Sequence, residues 1–447
     1  MFLDFFAGCY HFEIYRLEIH LYCFRMSLQV ISTILFACAI LHTFLASKLT
    51  HYSHSLKKDS FLRGLTHLLG EVEVVFGLWA GIFVIYMSFA DKPQAAIDYI
   101  EKLKFTEPLF VFVVMVVCAS RPILDSAREL MQFISSMINR IFKVPAIHAD
   151  VFVMLTLGPL LGSFITEPAA MTVVALLMRS MIVNVKPRVL YFLLALMFVN
   201  VSVGGAMTPF AAPPILMVAK KWDWGLSFTL ARFAHDSILI CVVNALLFLA
   251  VFRKEIKCGM KPLKTLEKNQ DSSWGVQFMH LFFLALIVMT NHHSNLFMAI
   301  FLFFLGVTAA SKKYQDPLRF RESLLVAFFL GGLMVFGEFQ HWWLQPLLSK
   351  LSDTALFFGA TGLTSITDNA ALTYLGSQVD GLTEASRFAL VAGALAGGGL
   401  TVLANAPNPA GFSIMSPKFP DGAINHLKLM AAAIIPSCVA ILFLWLV

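Results

Sequence analysis

Charged residues are scarce in this chain. Asp, Glu, Lys and Arg make up 13% of its 447 residues, against about 25% in an ordinary soluble domain. Hydrophobic residues make up 58%, including 43 Phe and 20 Met. So few charges could not cover the surface of a water-soluble protein of this size, and so apolar a chain is not disordered. The composition predicts a polytopic membrane protein whose main partner is the lipid bilayer.

Sequence motifs that define other classes of protein are also missing. None of the seven cysteines has C-x-x-C spacing, and most lie in apolar segments, so they predict neither disulfides nor a metal site. No nucleotide-binding G-x-x-x-x-G-K-[ST] loop occurs, and neither H-E-x-x-H nor G-x-S-x-G is present. These absences argue against ATP-driven transport and against an intramembrane enzyme. The net charge of +6 comes from short loops between apolar runs, a pattern of membrane topology and not of nucleic-acid binding.

The first 26 residues differ from the rest of the chain. Residues 1–26 mix charged residues with aromatics and lack the apolar core of a cleavable signal peptide. We expect this extension either to form an interfacial helix or to precede the true start at Met26, and we favour the second.

Apolar runs of about 20 residues predict spanning helices, because backbone polar groups in lipid must be paired within the segment. The candidate spans are residues 28–47, 68–90, 105–120, 189–206, 232–252, 274–291, 295–310, 323–340, 386–403 and 428–447. Two further stretches, 149–183 and 351–378, are apolar at both ends and interrupted in the middle by Gly, Pro, Thr and acidic residues. This pattern predicts re-entrant hairpins. The helices that begin at 189 and 386 run into Pro-rich breaks and continue to 218 and 416, which predicts two broken helices.

The distribution of Lys and Arg supports the two hairpins. If loop 48–67 is cytoplasmic and both stretches turn back, most basic residues fall on the cytoplasmic side, including those in the loops 121–143 and 253–268. The predicted localisation is a multi-pass protein of the bacterial inner (plasma) membrane. The predicted domains are the extension 1–26, a first repeat 27–252, a basic cytoplasmic linker 253–275 and a second repeat 276–447.

The two interrupted stretches resemble each other. Residues 165–172 read I-T-E-P-A-A-M-T, and residues 366–373 read I-T-D-N-A-A-L-T. Downstream, G-G-A-M-T-P-F-A-A-P-P at 204–214 matches G-G-L-T-V-L-A-N-A-P-N at 398–408 in its Gly-Gly opening and Ala-Pro ending. The charge count places the two hairpin mouths on opposite sides of the membrane. The predicted fold is therefore all-α, an inverted repeat with two re-entrant hairpins and two broken helices, whose matching breaks mark a transport site.

These motifs resemble those of the ion transporter superfamily, which contains NhaD-type sodium/proton antiporters, citrate and dicarboxylate carriers, and arsenite permeases. The residues that carry the resemblance are T-D-N-A-A-L-T at 367–373, T-E-P-A-A-M-T at 166–172 and N-A-P-N-P-A-G at 405–411. Within the superfamily the chain looks like a group of bacterial sodium/proton antiporters. The resemblance implies that hairpin tips and unwound helices meet at mid-membrane, that Na⁺ and H⁺ are transported without a further cofactor, and that the protein is a homodimer. One departure is that the Ser-Asn-Thr tips of the dicarboxylate carriers are replaced here by Thr and a carboxylate.

A carboxylate at a hairpin tip suits a small hard cation, which prefers oxygen ligands. It can hold a proton or Na⁺ but not both, and partial burial of an acid makes that competition effective near physiological pH. The predicted sodium ligands are Asp368, Asn369, Thr367 and Glu167. The further predicted ion- and proton-binding residues are Ser365, Thr166, Asn405 and Asn408.

Other interpretations of these residues stay open at this point. An acid beside a helix start is often only an N-cap, and Thr-Asp before Ala-Ala-Leu fits that role. Asp368 and Asn369 carry the stronger prediction, because Pro168 is an ordinary first-turn proline and makes the Glu167 tip more structural. Asp236 and His235 form either a proton relay or a polar pair near the outer face.

An alternative function on the same fold is sodium- or proton-coupled transport of a small anion, such as a dicarboxylate, citrate or arsenite. The missing Ser-Asn-Thr tips argue against it.

Overall fold

A computed structural model describes residues 28–46, 48–53, 55–57, 60–90, 92–263 and 273–446. The predicted extension 1–26 and residues 264–272 of the predicted linker lie outside the described residues. Within the described part the chain is helical, without a β-strand, and one isolated bridge pairs Ile182 with Met260.

Six helices of the described chain are long and apolar enough to cross a membrane. Two helix pairs bent at short breaks, one of them Thr106–Cys118 with Arg121–Phe142 at 67°, raise this number to as many as eight. Two shorter apolar helices add to them. The prediction of an all-α polytopic membrane protein is confirmed. The six helices are Leu28–Ala46, Ala146–Ile165, Pro187–Met207, Leu226–Gly259, Phe320–Leu348 and His426–Leu446.

We number the helices in chain order. They are α1 Leu28–Ala46, α2 Phe61–Leu69, α3 Val72–Ala90, α4 Pro93–Lys102, α5 Thr106–Cys118, α6 Arg121–Phe142, α7 Ala146–Leu155, α8 Leu157–Ile165, α9 Glu167–Met181, α10 Pro187–Gly204, α11 Pro213–Ala219, α12 Leu226–Thr229, α13 His235–Gly259, α14 Trp274–Met289, α15 Ser294–Ala310, α16 Phe320–Gly337, α17 His341–Leu348, α18 Asp353–Thr364, α19 Asn369–Ser377, α20 Glu384–Gly397, α21 Asn408–Met415 and α22 His426–Leu446. A π-helical turn, Leu230–Ala234, joins α12 to α13.

The helices form two compact units. The first comprises residues up to 104 together with 328–347, and the second comprises 105–327 and 348–447. The first unit packs around aromatic rings, with Phe36 against Phe76 and Phe336. The second unit contains both interrupted stretches and both broken helices. This division does not follow the predicted repeat boundaries at 252 and 276, which stay predictions.

The first interrupted stretch is a hairpin. Helices α7 and α8 form its first arm and α9 its second arm, and the backbone of Gly158 lies against Val174 while that of Gly162 lies against Ala170. Residue numbers rise along α8 as they fall along α9, so the two arms are antiparallel. The hairpin occupies 146–181, within a few residues of the predicted 149–183.

The second stretch has the same architecture. Helix α18 is parallel to α20, because Phe357 lies against Gly393 and Thr361 lies against Gly397. Helix α19 is antiparallel to α20, because Gly376 lies against Leu390 near one end and the start of α19 lies against Gly398 at the other. Helices α18 and α19 therefore run in opposite directions and form a hairpin over 353–377.

The two repeats are inverted relative to each other. Each hairpin packs on its own broken helix, α10 in the first repeat and α20 in the second. Where these two helices meet, Val199 lies against Gly399, and the Ser202 hydroxyl donates to the Leu395 carbonyl at 3.0 Å. Numbers rise in one helix as they fall in the other, so equivalent helices run in opposite directions. In addition, α11 packs against α19 and α21 packs against α9, so each broken helix continues onto the hairpin of the other repeat.

Several segments counted above as charged loops are helical in whole or in part, among them 121–142, which is α6, and 253–259, which is the end of α13. Helix α6 covers 22 residues and buries Ile123, Ala127, Met131 and Ser135, which recur at every fourth position. That spacing is typical of an amphipathic helix. The count of basic residues alone takes no account of the spacing of apolar residues.

Candidate functional site: the meeting point of two hairpin tips

The tip of the first hairpin is a strained turn tied to the first broken helix. Thr166, between α8 and α9, has φ 72° and ψ 150°, a region that β-branched residues rarely adopt and that costs about 1–3 kcal/mol. The Ser163 hydroxyl donates to the Gly204 carbonyl at 2.7 Å and accepts from the Met207 amide at 2.9 Å. The Thr208 hydroxyl donates to the Ser163 carbonyl at 2.5 Å. The turn is thereby held by the unwound backbone that follows α10.

Glu167, the next residue, is completely buried. Its Oε2 accepts a hydrogen bond from Asn405 Nδ2 at 2.7 Å, and its Oε1 has no hydrogen-bond partner among the described residues. A Cβ on Gly205 would lie 2.3 Å from Glu167 Cγ. The carboxyl therefore occupies space that exists only because residue 205 has no side chain.

The tip of the second hairpin has a different arrangement. Asp368 is the N-cap of α19, and its Oδ1 accepts from the amides of Ala370 at 2.8 Å and Ala371 at 3.2 Å. The capping role that the sequence left open is therefore present. Asp368 is only partly buried, but it is close enough for its charge to act on the Glu167 carboxyl.

The neighbours of Asp368 in the tip divide into two groups. The hydroxyls of Ser365 and Thr367 donate to carbonyls of their own helix, Gly362 at 2.6 Å and Leu363 at 2.9 Å. Asn369, in contrast, is completely buried, and neither polar atom of its side-chain amide has a partner in the described structure.

Both tips are bound by the break in the second broken helix. The Ala404 carbonyl accepts from the Asn369 backbone amide at 3.1 Å, and the Asn405 side chain donates to Glu167. Two consecutive residues of one unwound segment thus contact the two hairpin tips. Further along, Asn408 Nδ2 donates to two carbonyls of the same break, those of Gly398 and Thr401, each at 2.8 Å, so Asn408 stabilises the unwound backbone.

Buried oxygens without a partner occur on both tips and on the second break. In the described chain they include one oxygen from each of six residues around the tips and the second break. Unpaired buried polar atoms are uncommon in native structures and cost about 1–3 kcal/mol each. The six atoms are Thr166 Oγ1, Glu167 Oε1, Thr364 Oγ1, Asn369 Oδ1, Asn405 Oδ1 and Asn408 Oδ1.

Within the described ranges, no Lys or Arg side chain balances the buried carboxyl. Among the described residues no Lys or Arg is buried, and no group of three or more His, Cys, Asp or Glu side chains has the geometry of a metal site. The cluster consists of one carboxyl, neutral amides and hydroxyls. Such a donor set suits a small monovalent cation or a proton.

A model of the family described as "Putative Na+/H+ antiporter" matches residues 27–447 of the chain. The chain belongs to this family of antiporters. No curated protein matches it. The NhaD-like subtype stays a prediction. Family membership and the helices described above make the protein a transporter with several membrane-spanning helices.

The predicted relay residues of the antiporter lie beside the first broken helix. His235 Nδ1 and Asp236 Oδ1 are 3.0 Å apart, with the His235 side chain 76% exposed and the Asp236 side chain 2% exposed. The next residue, Ser237, donates to the Val203 carbonyl at 2.9 Å, two residues before Gly205. The pair therefore connects an exposed ring to a buried acid on a helix packed against α10, and its role as a proton relay stays a prediction.

Several residues of the antiporter site were not predicted from the sequence. Ser163 and Thr208 hold the first turn, Ser202 joins the two broken helices, and Gly205 makes room for Glu167. Their positions within or beside the matched motifs were a usable signal, because Ser163 stands three residues before the tip and Gly205 is the second glycine of the repeated Gly-Gly pair.

Proposed function

We propose that the antiporter exchanges Na⁺ for H⁺ at a single buried site centred on Glu167, where the two ions compete for the same carboxyl. The observation that carries the proposal is the contact of consecutive residues Ala404 and Asn405 with the two hairpin tips, Asn369 on one side and Glu167 on the other. Such a site contains the carboxyl group of Glu167 and several oxygens that accept no hydrogen bond.

The electrostatics of burial supply the competition. An ionised carboxylate removed from water costs several kcal/mol unless a positive charge is placed beside it. Since no Lys or Arg in the described part of the chain is buried, that charge has to come from a proton or from a bound cation. Either ion neutralises Glu167, and binding of one removes the reason for binding the other.

The most suitable sodium ligands are the unpaired oxygens. They are Glu167 Oε1, Asn405 Oδ1, Thr166 Oγ1 and Asn369 Oδ1. Ser365 and Thr367 fit less well, because their hydroxyls already donate within their own helix. Asp368 contributes its negative charge from the edge of the site while it caps α19.

The inverted repeats supply a means of alternating access. Helix α21 packs against α9 and α11 packs against α19, so a movement of either hairpin changes the surroundings of the other repeat's broken helix. In inverted-repeat transporters, such movements expose one central site to each side of the membrane in turn. A homodimer and a bacterial inner-membrane location remain parts of this proposal.

The anion-carrier alternative is less well supported by the same atoms. An anion needs hydrogen-bond donors or helix N-termini at its site. Helices α9 and α19 do begin at the tips, but the site is built around the acid Glu167, and four of the unpaired atoms are the acceptor oxygens of Glu167, Asn369, Asn405 and Asn408. Sodium-dependent uptake of a labelled dicarboxylate into vesicles would support the alternative.

The test uses purified protein in liposomes that contain a pH-sensitive dye. After a proton gradient is imposed, Na⁺, Li⁺ and K⁺ are added in turn, and we expect Na⁺ or Li⁺ to dissipate the gradient. Glu167→Gln should abolish the response. Asp98→Asn is the matched control, because Asp98 pairs with Gln94 on an exposed helix surface. A wild-type protein that responds to none of the three cations would refute the proposal.

A further inference from the structure

The contact between Glu167 and Asn405 is only half of the pairing that these two groups can make. Asn405 Nδ2 donates to Glu167 Oε2 at 2.7 Å. The second oxygen of each group, Glu167 Oε1 and Asn405 Oδ1, is buried and without a hydrogen-bond partner among the described residues. Two acceptors are therefore left over on two groups that already share one hydrogen bond.

A single proton would satisfy both. A carboxylic acid has one O–H donor and one carbonyl acceptor, and a primary amide has N–H donors and a carbonyl acceptor. With the proton on Oε1, the acid can donate to Asn405 Oδ1 while Asn405 Nδ2 continues to donate to Oε2. This closes a ring of two parallel hydrogen bonds.

We propose that the proton-loaded antiporter holds Glu167 and Asn405 as a two-bond acid–amide pair, and that Na⁺ binds by replacing the proton between Glu167 Oε1 and Asn405 Oδ1. The inference rests on the proposed function and identifies the atoms of its site. In the exchange the O–H bond of Glu167 breaks, the proton leaves for water, and Na⁺ forms contacts with the two oxygens. One positive charge replaces another.

Mutual exclusion follows from the pair. Without either ion, the two oxygen acceptors remain unpaired in a buried place, which is unfavourable. In the proposed pair, one proton or one cation satisfies both oxygens. Asn405 therefore allows a proton and Na⁺ to bind in the same place, because its N–H group holds the Glu167 carboxyl in position whichever of the two is bound.

The charged surroundings of Glu167 come from the other repeat. Asp368, at the second tip, is the charged group that acts on the Glu167 carboxyl. Helices α8 and α21 pack against α9 and contain no ionisable residue, and Arg179 lies near the far end of α9. The ionisable residues on the remaining helices packed against α9 are Glu107, Cys118, Arg121, Asp125, Arg128, Glu129, Arg140, His148, Asp150, Arg188 and Tyr191.

Several of these groups have partners of their own. Glu107 is paired with Lys220 at 3.3 Å, and Asp150 accepts from the Ser135 hydroxyl and from the Leu263 amide. The groups that influence the Glu167 carboxyl, beside its complete burial, are therefore Asn405 and Asp368.

The experiment is infrared difference spectroscopy on the purified full-length protein, with exchange measured in parallel in liposomes. Addition of Na⁺ to the proton-loaded wild type should remove a carbonyl band of a hydrogen-bonded carboxylic acid, and Glu167→Gln should lack this band. In Asn405→Ala the band should move to the frequency of a carboxylic acid without hydrogen bonds, and the apparent affinity for Na⁺ should fall about tenfold.

The matched control is Asn244→Ala. Asn244 is as buried as Asn405, but it lies on α13, and its amide donates to Asn200 Oδ1 at 2.9 Å and to the Pro436 carbonyl at 3.3 Å and not to Glu167. Its carboxylic acid band should stay at the wild-type frequency. Thermal unfolding in detergent establishes that each variant is folded.

Asn405→Asp is the second variant, in case the alanine variant does not fold. It keeps the shape of the side chain but replaces the N–H donor by a second carboxyl, and two adjacent carboxyls retain one proton between them. The carboxylic acid band should therefore leave its wild-type frequency, and the apparent affinity for Na⁺ should fall at least several-fold. The inference is overturned if wild type exchanges Na⁺ for H⁺ while the folded Asn405 variants keep the wild-type band and Na⁺ affinity. Absence of exchange in wild type would instead overturn the proposed function itself.

Discussion

The two hairpin tips have nearly the same amino-acid sequence, but their acidic residues have different surroundings. Glu167 is completely buried and bonded to the other repeat, whereas Asp368 is partly buried and caps its own helix. The comparison teaches that a repeated motif preserves a fold without preserving the role of each residue. In this antiporter the repeat supplies two turns, and we infer that one of them supplies the exchangeable carboxyl.

The difference has a local cause. In the second tip Asp368 precedes the first residue of α19, and its short side chain reaches the amides of Ala370 and Ala371. In the first tip the helix begins one position earlier, at Glu167 itself, and the Ala170 amide already donates to the Thr166 carbonyl at 3.0 Å. The longer Glu side chain is left free to extend towards Asn405.

The largest expected effect separates the two acids. Glu167→Gln should abolish exchange, because the neutral amide can neither release a proton nor balance a cation. Asp368→Asn should keep measurable exchange, since Asn is as good an N-cap as Asp and only the outlying charge is lost. Proton flux driven by Na⁺ in liposomes measures both. Equal loss of exchange in the two variants would mean that both acids carry ions.

The sequence predicts the fold better than it predicts the burial and the partners of these two acids. The repeated octapeptides and Gly-Gly breaks identified both hairpins and both broken helices, because turns and breaks depend on local residues such as Pro and Gly. Burial of Glu167 depends on Gly205 and on Asn405, which lies 238 positions away. Spacing along the chain contains no information about such a contact, so the different burial of Glu167 and Asp368 could not be predicted from it.

A second prediction concerns the space around Glu167. Gly205→Ala would place a Cβ 2.3 Å from Glu167 Cγ, so the carboxyl must move away from Asn405. We expect exchange to fall at least about tenfold, as a displacement of about 1 Å at a functional site costs more than that in comparable sites. Gly362→Ala is the control, because no atom lies within 4 Å of the added Cβ. If Gly205→Ala exchanged ions at the wild-type rate, the close fit around Glu167 would not matter for transport.

A third prediction uses the strain at Thr166. Thr166→Gly should raise the free energy of unfolding by about 1 kcal/mol, because relief of the strained φ outweighs the entropy that glycine adds to the unfolded chain. Exchange should nevertheless decrease, since a candidate ligand oxygen is lost. Thermal unfolding and Na⁺-driven proton flux are measured on the same preparation. Thr367→Gly provides the comparison at the second tip, where the hydroxyl bonds within its own helix. We expect this variant to have a lower free energy of unfolding than the wild type. A Thr166→Gly variant that is less stable than wild type would show that the turn is not strained.

The smallest effect tests the capping role of Asp368. Asp368→Ala removes the acceptor for two backbone amides and should lower the free energy of unfolding by about 1 kcal/mol, whereas Asp368→Asn should change it by only a few tenths. Thermal unfolding in detergent resolves the two if they are measured side by side. The cap also determines where α19 begins, and the Asn369 amide that follows donates to Ala404 beside the Glu167–Asn405 contact. Loss of the cap should therefore reduce exchange slightly more than loss of the charge alone, and the opposite order would assign Asp368 an electrostatic role in place of a structural one.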